Sequence, residues 1–361
     1  DECRKVSRTQ FRHGADFIKI MTTGGIMDTA SDPGMAYFNY DEIAVCVEEA
    51  ERMSTYVATH AESDAGVYNA VIAGVKSIEH GYMKAEASKL HGAQIYVNRA
   101  SVGTTINLMI AASLAQGTTT LENAAKEPEV VDLAIFLNGM GARVRGAGTE
   151  SIRIEGVESL RGIEYSIIPD RIEVGTFLFA AAITGGDILI KSVVAEHLRV
   201  PIVKLEEAGL TISRGDNELH VIAPKNLKPV DVETLPYPGF PTDLQQPLVA
   251  SMCLAEGTSV VRETIFDRFR YVDELRRMGA DIKIEQGTAI IRGVPQLTGA
   301  PVEITDLRAG AALAIAALAA EGRTELYGVE ILDRGYEYFE DKLKKLGATI
   351  YREETNGPKK G

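Results

Sequence analysis

The chain has 361 residues, 45% of them hydrophobic and 25% charged, which excludes disorder and collagen-like structure and leaves length for two or more cored domains. With 51 Asp and Glu against 38 Lys and Arg, the net charge of −13 excludes broad attraction to nucleic acid or to an anionic membrane, so an anionic ligand needs a local basic pocket. The longest apolar stretch, residues 309–320, is too short and too rich in Ala for a membrane span, and three cysteines without CxxC spacing predict a reducing, cytoplasmic location.

The chain opens Asp-Glu-Cys-Arg with neither an initiator Met nor an apolar signal core, which predicts that the true start is missing. Residues 16–21 are a short apolar run closed by Thr22-Thr23-Gly24-Gly25. An amphipathic stretch over residues 41–53 predicts a helix with Asp41 as N-cap. Residues 56–61 read as a strand, 64–73 as a helix stopped by Gly74, and 77–81 as a third strand. Strands alternating with helices at this spacing predict a parallel βαβαβ sheet, a partial sheet too small to close a barrel. Lys19, His60 and His80 stand near the ends of the three strands, the edge where sites form. Imidazoles bind zinc-type metals, and a Lys joins them only if carbamylated, because an ammonium offers no lone pair. Unrelated polar residues at strand ends give the same spacing.

Beyond about Lys84 a repeat takes over. Four segments share a small-residue helix, an anchor Gly, a β-rich run, and a Leu-rich helix ending in Gly before another strand. The anchors Gly117, Gly186, Gly257 and Gly322 are 69, 71 and 65 residues apart. A polar residue stands 14 to 16 positions before each anchor, namely Ser101, Asp170, Asp243 and Asp306. Each precedes the first helix of its segment, where a side-chain oxygen can cap free backbone N–H groups. The same helix starts can also converge on an anion through their positive dipole ends, and the two roles are compatible.

Three islands stand out within the repeats. Pro236-Tyr237-Pro238-Gly239-Phe240-Pro241-Thr242-Asp243 is a stiff loop that delivers a carboxylate suited to acid–base work. Asp306-Leu307-Arg308 and Asp333-Arg334-Gly335-Tyr336-Glu337 each set an Arg beside an Asp. Arg forks suit phosphate and carboxylate, whereas neighbouring Asp and Arg more often form a cap or a surface ion pair. Cys253 lies in an apolar run and reads as a core thiol, and neither Cys3 nor Cys46 sits in a Gly-rich basic loop.

Two resemblances follow from these segments. Gly14-Ala15-Asp16-Phe17-Ile18-Lys19-Ile20, Val57-Ala58-Thr59-His60-Ala61 and Ser77-Ile78-Glu79-His80-Gly81 resemble the middle strands of metal-dependent amidohydrolases of the imidazolonepropionase and prolidase-like group. That likeness implies Lys19, His60 and His80 as metal ligands, zinc being one such metal. The amidohydrolases' early His-x-His pair and late catalytic Asp have no counterpart. From about Ala85 to Glu354 the chain resembles the UDP-N-acetylglucosamine enolpyruvyl transferases of the EPSP synthase superfamily. The markers are Ser101-Val102-Gly103, Glu122-Asn123-Ala124-Ala125-Lys126-Glu127-Pro128-Glu129, Pro169-Asp170-Arg171-Ile172-Glu173 and the three islands.

The second resemblance implies an α/β enolpyruvyl transferase fold of repeated βα units, an inverse α/β barrel, here preceded by the partial TIM-barrel segment. Its boundaries are an amidohydrolase-like segment over 1–82, the last repeat of an N-terminal domain over 83–168, three repeats of a C-terminal domain over 169–354, and a tail over 355–361. The implied reaction adds the 3-hydroxyl of UDP-N-acetylglucosamine to phosphoenolpyruvate and expels phosphate, opening peptidoglycan synthesis, without metal or organic cofactor. It implies Asp243 as the base at the sugar hydroxyl. Ser101, Val102 and Gly103 go to the diphosphate, with Arg99 where Lys is usual, and Ile265 to the nucleotide. Asp306, Arg308 and Arg334 belong to the substrate site, the two arginines on phosphoenolpyruvate. No nucleic acid or membrane partner is implied.

Departures accompany these matches. The transferases' early Lys-Asn pair and mobile loop with a reactive Cys have no counterpart, which implies impaired turnover. Gln246-Pro247 is expected to break the helix start after Asp243, and Phe266-Asp267-Arg268-Phe269 is one residue short. With no Gly, Ser or Pro linker near residues 82–85, the sequence reads as a composite of two incomplete pieces, with amidohydrolase activity or a non-catalytic chain as the alternatives to transfer.

Overall fold

A computed structural model of the chain describes residues 2–13, 15–23, 36–53, 55–61, 64–75, 77–79 and 90–353. Contacts divide the chain into two units, Asp1–Ile168 and Pro169–Gly361.

The first unit begins with α1 (Glu2–Arg12), β1 (Ile18–Met21), α2 (Tyr40–Arg52), β2 (Val57–His60), α3 (Asp64–Ile72) and β3 (Ser77–Glu79). The three strands form a parallel sheet in the order β1-β2-β3, as the alternation predicts. Ile18 and Ile20 are buried while Lys19 and Met21 are exposed, so β1 presents one apolar face to Ile43, Cys46, Val47 and Ala50 of α2. The cap of α2 is Asn39 rather than Asp41. The Asn39 side chain accepts from the Glu42 amide at 3.0 Å, and the Glu42 carboxylate accepts from the Asn39 amide at 2.8 Å, a reciprocal capping box. Helix α1 has no counterpart in the sequence reading. It is held to α2 by Arg4 and Arg8, whose guanidiniums bind Glu49, with Arg4 also on Glu48.

The first unit continues with β4 (Gln94–Tyr96), α4 (Val102–Ala112), β5 (Thr118–Glu122), α5 (Pro128–Gly139), β6 (Arg143–Arg145) and β7 (Ser151–Glu155). Their sheet runs β4-β5-β7-β6, with β4 and β5 parallel and the other pairs antiparallel. Met109, Leu121, Val130, Ile152 and Ile154 fill its core.

The second unit contains α6 (Arg171–Thr184), β8 (Asp187–Lys191), α7 (Arg199–Glu207), β9 (Thr211–Gly215), β10 (Glu218–Ile222), β11 (Val232–Glu233), α8 (Gln245–Met252), β12 (Thr258–Arg262), α9 (Val272–Arg277), β13 (Asp281–Glu285) and β14 (Thr288–Arg292). It ends with β15 (Pro301–Glu303), α10 (Leu307–Ala319), β16 (Glu325–Tyr327), α11 (Val329–Leu332) and α12 (Phe339–Lys345). Its sheets run β8-β10-β9, β11-β12-β14-β13 and β15-β16. Helices α6, α8 and α10 pack on one another at the centre. All eight residues of α8 are buried, and so are residues 309–316 of α10, which is why this Ala-rich stretch shows no polar face.

Hydrogen bonds show that the sequence repeat is a structural one. The anchor carbonyls of Gly117, Gly186 and Gly257 accept from the amides of Gly156, Ala223 and Gly293 at 2.9, 3.0 and 2.9 Å. Each second helix ends at a glycine with φ near +100°, namely Gly141 (105°), Gly209 (105°), Gly279 (91°) and Gly347 (100°), a conformation that a Cβ opposes. One feature differs from the expected pattern. In the first three repeats the second helix is followed by an antiparallel hairpin instead of a single strand, turning at Asn217 (φ 58°) in β9–β10 and at Gln286 and Gly287 (φ 45° and 74°) in β13–β14.

Candidate functional site

The four polar residues ahead of the anchors do not share one role. Ser101 caps α4, its hydroxyl accepting from the Thr104 amide at 3.3 Å. Asp170 caps α6, accepting from Ile172 and Glu173 at 2.7 and 3.2 Å. Asp306 caps α10 through the amides of Arg308 and Ala309 at 3.0 and 2.9 Å. Asp243 caps nothing. It lies in a 3₁₀ turn, Thr242–Leu244, that runs into α8, and the turn's own carbonyls take the amides a cap would serve. Leu244 donates to Pro241 and Gln245 to Thr242.

Relieved of capping, the Asp243 carboxylate binds two guanidiniums. Arg268 Nη1 reaches Oδ1 at 2.5 Å and Arg308 Nε reaches Oδ2 at 3.2 Å. Burial pushes the Asp243 carboxyl up, but the charges and hydrogen bonds of Arg308 and Arg268 outweigh it and hold the group below the usual carboxylate range. Arg308 sits over the ring of Tyr336, 5.4 Å from its centroid, and the Tyr336 hydroxyl lies 2.9 Å from that of Thr176 on α6. Burial raises the Tyr336 phenol despite the nearby Arg308, so it stays neutral. The Arg308 Nη1 is buried without a hydrogen-bond partner, as are Gln245 Oε1 and both polar atoms of the Gln246 side chain. Two cations on one carboxylate, one of them with an unfilled donor, leave net positive charge for an anionic ligand.

Gly175 and Gly335 let this cluster form. A Cβ on Gly175 would lie 2.4 Å from Leu244 Cδ1, so a larger residue there would have to displace the buried Leu244 side chain on the turn bearing Asp243. A Cβ on Gly335 would lie 2.8 Å from Leu307, which allows the turn carrying Arg334 and Tyr336 to approach the start of α10. Arg334 itself is exposed on that turn, and its neighbour Asp333 forks with Arg352 at 2.8 and 2.7 Å. Ile265 is half-buried three residues before Arg268 and donates its amide to Glu263 at 2.8 Å. Pro247 does not break α8. It is the third helical residue, where its missing N–H needs no intrahelical acceptor. The shortened Phe266-Asp267-Arg268 segment still delivers Arg268 to Asp243. The sequence reading named Arg268 only within the shortened Phe266-Asp267-Arg268-Phe269 segment and gave it no role, because nothing local to that loop points to Asp243, 25 residues upstream.

In the first unit, Val102 and Gly103 open α4 with Gly103 exposed and open space where its Cβ would be, so the first-turn amides are accessible to a ligand. Arg99 is exposed just before this helix start. Lys19 is exposed on β1 and pairs in register with Ala58, His60 stands opposite Met21 at the end of β2, and His80 lies outside the described residues. Among the described residues no group of three or more His, Cys, Asp or Glu could hold a metal, and no helix is long and apolar enough to cross a membrane. Cys253 is a core thiol, pushed up to about 12 by burial. A cavity of about 190 Å³ in the second unit is lined by Arg171, His197, Arg199, Tyr237 and Pro238 and includes neither Asp243 nor Arg308.

Residues 70–343 match the family model of EPSP synthase (3-phosphoshikimate 1-carboxyvinyltransferase). The chain is 57% identical over 277 residues to UDP-N-acetylglucosamine 1-carboxyvinyltransferase 1 of Caldanaerobacter subterraneus subsp. tengcongensis, a match covering 76% of this chain and 67% of that protein. It is 54% identical over 277 residues to UDP-N-acetylglucosamine 1-carboxyvinyltransferase 2 of Bacillus subtilis, covering 76% and 65%. The chain thus spans about two thirds of the length of the curated relatives it matches. Among solved structures, the enolpyruvyl transferase NikO from Streptomyces tendae aligns with a TM-score of 0.64 at 28% identity, covering 72% of this chain and 65% of that one. EPSP synthase from Acinetobacter baumannii aligns with a TM-score of 0.59 at 22% identity, covering 73% and 64%, a likeness of fold.

Proposed function

The chain belongs to the EPSP synthase family, and from that premise we propose that it carries the base and anion-binding half of an enolpyruvyl transfer site. The reaction moves the enolpyruvyl group of phosphoenolpyruvate to the 3-hydroxyl of UDP-N-acetylglucosamine, in the cytoplasm, as a step of peptidoglycan synthesis serving cell shape and division. The observation that carries this reading is the carboxylate of Asp243 between Arg268 and Arg308 at a helix start that needs no cap.

In this reading the sugar hydroxyl approaches Asp243, and phosphoenolpyruvate takes the guanidiniums of Arg268 and Arg308, with Arg334 at the rim, while Asp306 serves the site only by capping the helix that starts with Leu307 and Arg308. Charge exchange then tunes the base. As the substrate's anionic groups engage the two arginines, they withdraw the attraction that depresses the Asp243 carboxyl, while its burial remains. Its proton affinity rises, and it accepts the hydroxyl proton as the sugar oxygen bonds to C2 of the enol, while C3 takes a proton from solvent and becomes a methyl group. Elimination then returns a methyl proton to solvent, re-forms the double bond and breaks the C2–O bond to phosphate, a leaving anion still paired with guanidinium. Taken by itself, the exposed start of α4 in the first unit, with Ser101, Val102, Gly103 and Arg99, suits a diphosphate. In the second unit Ile265 suits a nucleotide. Residues of this chain perform every role named, and none calls for a metal or an organic cofactor.

Calorimetric titration of the chain with each substrate, followed by an assay for phosphate release, tests the proposal. Both substrates are expected to bind, phosphoenolpyruvate through Arg308, with little turnover because the family's reactive-Cys loop has no counterpart in this sequence. Phosphoenolpyruvate affinity unchanged in Arg308→Ala would overturn the assignment.

A further inference from the structure

Glu263 is a buried carboxylate, 8% exposed, that follows β12 at the same sheet edge where Thr234 follows β11. Among the described residues it has no ion pair. Four donors satisfy it instead. Oε1 accepts from the Thr234 hydroxyl at 2.7 Å and from the amides of Ile265 and Phe266 at 2.8 and 3.2 Å, while Oε2 accepts from the Thr242 hydroxyl at 2.8 Å. A carboxylate without a cation in such a place needs all its donors, so their geometry is set jointly. The donors come from two different loops. Thr234 and Thr242 bracket the Pro-rich loop that ends at Asp243, and Ile265 and Phe266 open the loop that ends at Arg268. The Thr242 hydroxyl is also within 3.4 Å of Arg268 Nη1, the atom that holds Asp243.

We propose that Glu263 is a positioning residue that locks the loop bearing Asp243 to the loop bearing Ile265 and Arg268, so that nucleotide binding at one loop aligns the carboxylate on the other. The lock itself is a property of the ligand-free chain. Its consequence for the sugar nucleotide rests on the transfer reading above.

Hydrogen exchange on the ligand-free chain separates the two. Glu263→Ala is expected to speed exchange at Ile265 and Phe266 about 10- to 100-fold, the loss of hydrogen bonds to a charged acceptor, and also to speed it at Leu235, Gly239 and Leu244. Those three amides donate to Phe240, Pro236 and Pro241 and never touch Glu263. Glu263→Gln keeps an acceptor for Ile265 and Phe266, and its amide donates to the Thr242 hydroxyl, which accepts as readily as it donates, so exchange in both loops stays close to that of the unaltered chain. Thr242→Val removes this partner, and exchange rises in the Asp243 loop alone. Faster exchange confined to Ile265 and Phe266 in Glu263→Ala, or no change in the Asp243 loop in Thr242→Val, would overturn the lock. Should Glu263→Ala fail to fold, the Val variant decides. Calorimetry with UDP-N-acetylglucosamine then reads the consequence, expected as weaker binding in Thr242→Val that Glu263→Gln does not share. If the unaltered chain binds no UDP-N-acetylglucosamine, the transfer reading falls while the exchange pattern still judges the lock.

Discussion

The start of α8 and the start of α10 occupy the same place in the repeat, yet their aspartates do opposite work. Asp306 spends one oxygen on two backbone amides and thereby begins a helix. Asp243 stands where the backbone has already satisfied those amides through a 3₁₀ turn, so both its oxygens face side chains. The difference shows that position in a repeat does not assign a role. What assigns it is whether local backbone geometry leaves the side chain anything to cap.

Identical substitutions at the two positions are the sharpest way to break this comparison. Asp243→Asn should weaken UDP-N-acetylglucosamine binding about 10- to 100-fold by calorimetry, the loss of a hydrogen bond to a charged group. Asp306→Asn should leave binding unchanged, because Asn caps a helix as well as Asp does. Equal losses at both positions would remove the distinction. Asp243→Asn should at the same time bind inorganic phosphate about 5- to 10-fold more tightly, since the competing negative charge on Arg268 and Arg308 is gone; weaker phosphate binding would show that the guanidiniums need Asp243 to stay in place. Asp306→Ala should cost about 1 kcal/mol of stability in denaturant titration, with no change in phosphate affinity.

The smallest effect concerns pH. A carboxyl-carbon NMR titration should find Asp243 below the ordinary 3.8. A depressed carboxyl contributes stability above its unfolded value, so this contribution is present at neutral pH. It fades as pH falls through the folded value and is absent in Asp243→Asn. In the first unit, Glu49 behaves alike for a different purpose. Hydrogen bonds from Arg8 and Arg4 outweigh desolvation and lower it to about 2, so the attachment of α1 to α2 should persist at neutral pH and loosen as pH falls from 4.5 toward 2. Faster amide exchange of α1 over that range is the check.

Much of this was legible in the sequence, and what was not has a physical reason. The parallel β1-β2-β3 sheet follows from apolar alternation, and the repeat from glycines whose left-handed backbone no other residue adopts cheaply. The hairpins closing the first three repeats were missed because their strands are short, and the second and third turn at Asn217 and at Gln286-Gly287 instead of at paired glycines. Helix α1 was missed because ion pairs, more than a wide apolar face, hold it. Asp243 and Arg308 were given roles, whereas Arg268 was named only inside a shortened segment and Glu263 was not named at all. Their importance arises from contacts made across 25 and 21 residues, and spacing within a segment carries no trace of such meetings.

The 3₁₀ turn ahead of α8 also bears on how such a repeat acquires chemistry. A duplicated helix start arrives with its acid already committed to folding. Replacing that service by two backbone hydrogen bonds releases the acid without loss of the helix, since the burial of α8 on α6 and α10 sustains it. Asp170 and Asp306 are therefore reserve positions. A turn of the same kind grafted ahead of α6 or α10 would free a second carboxylate at the edge of the same helical core, which makes this module a scaffold for building new acid–base sites.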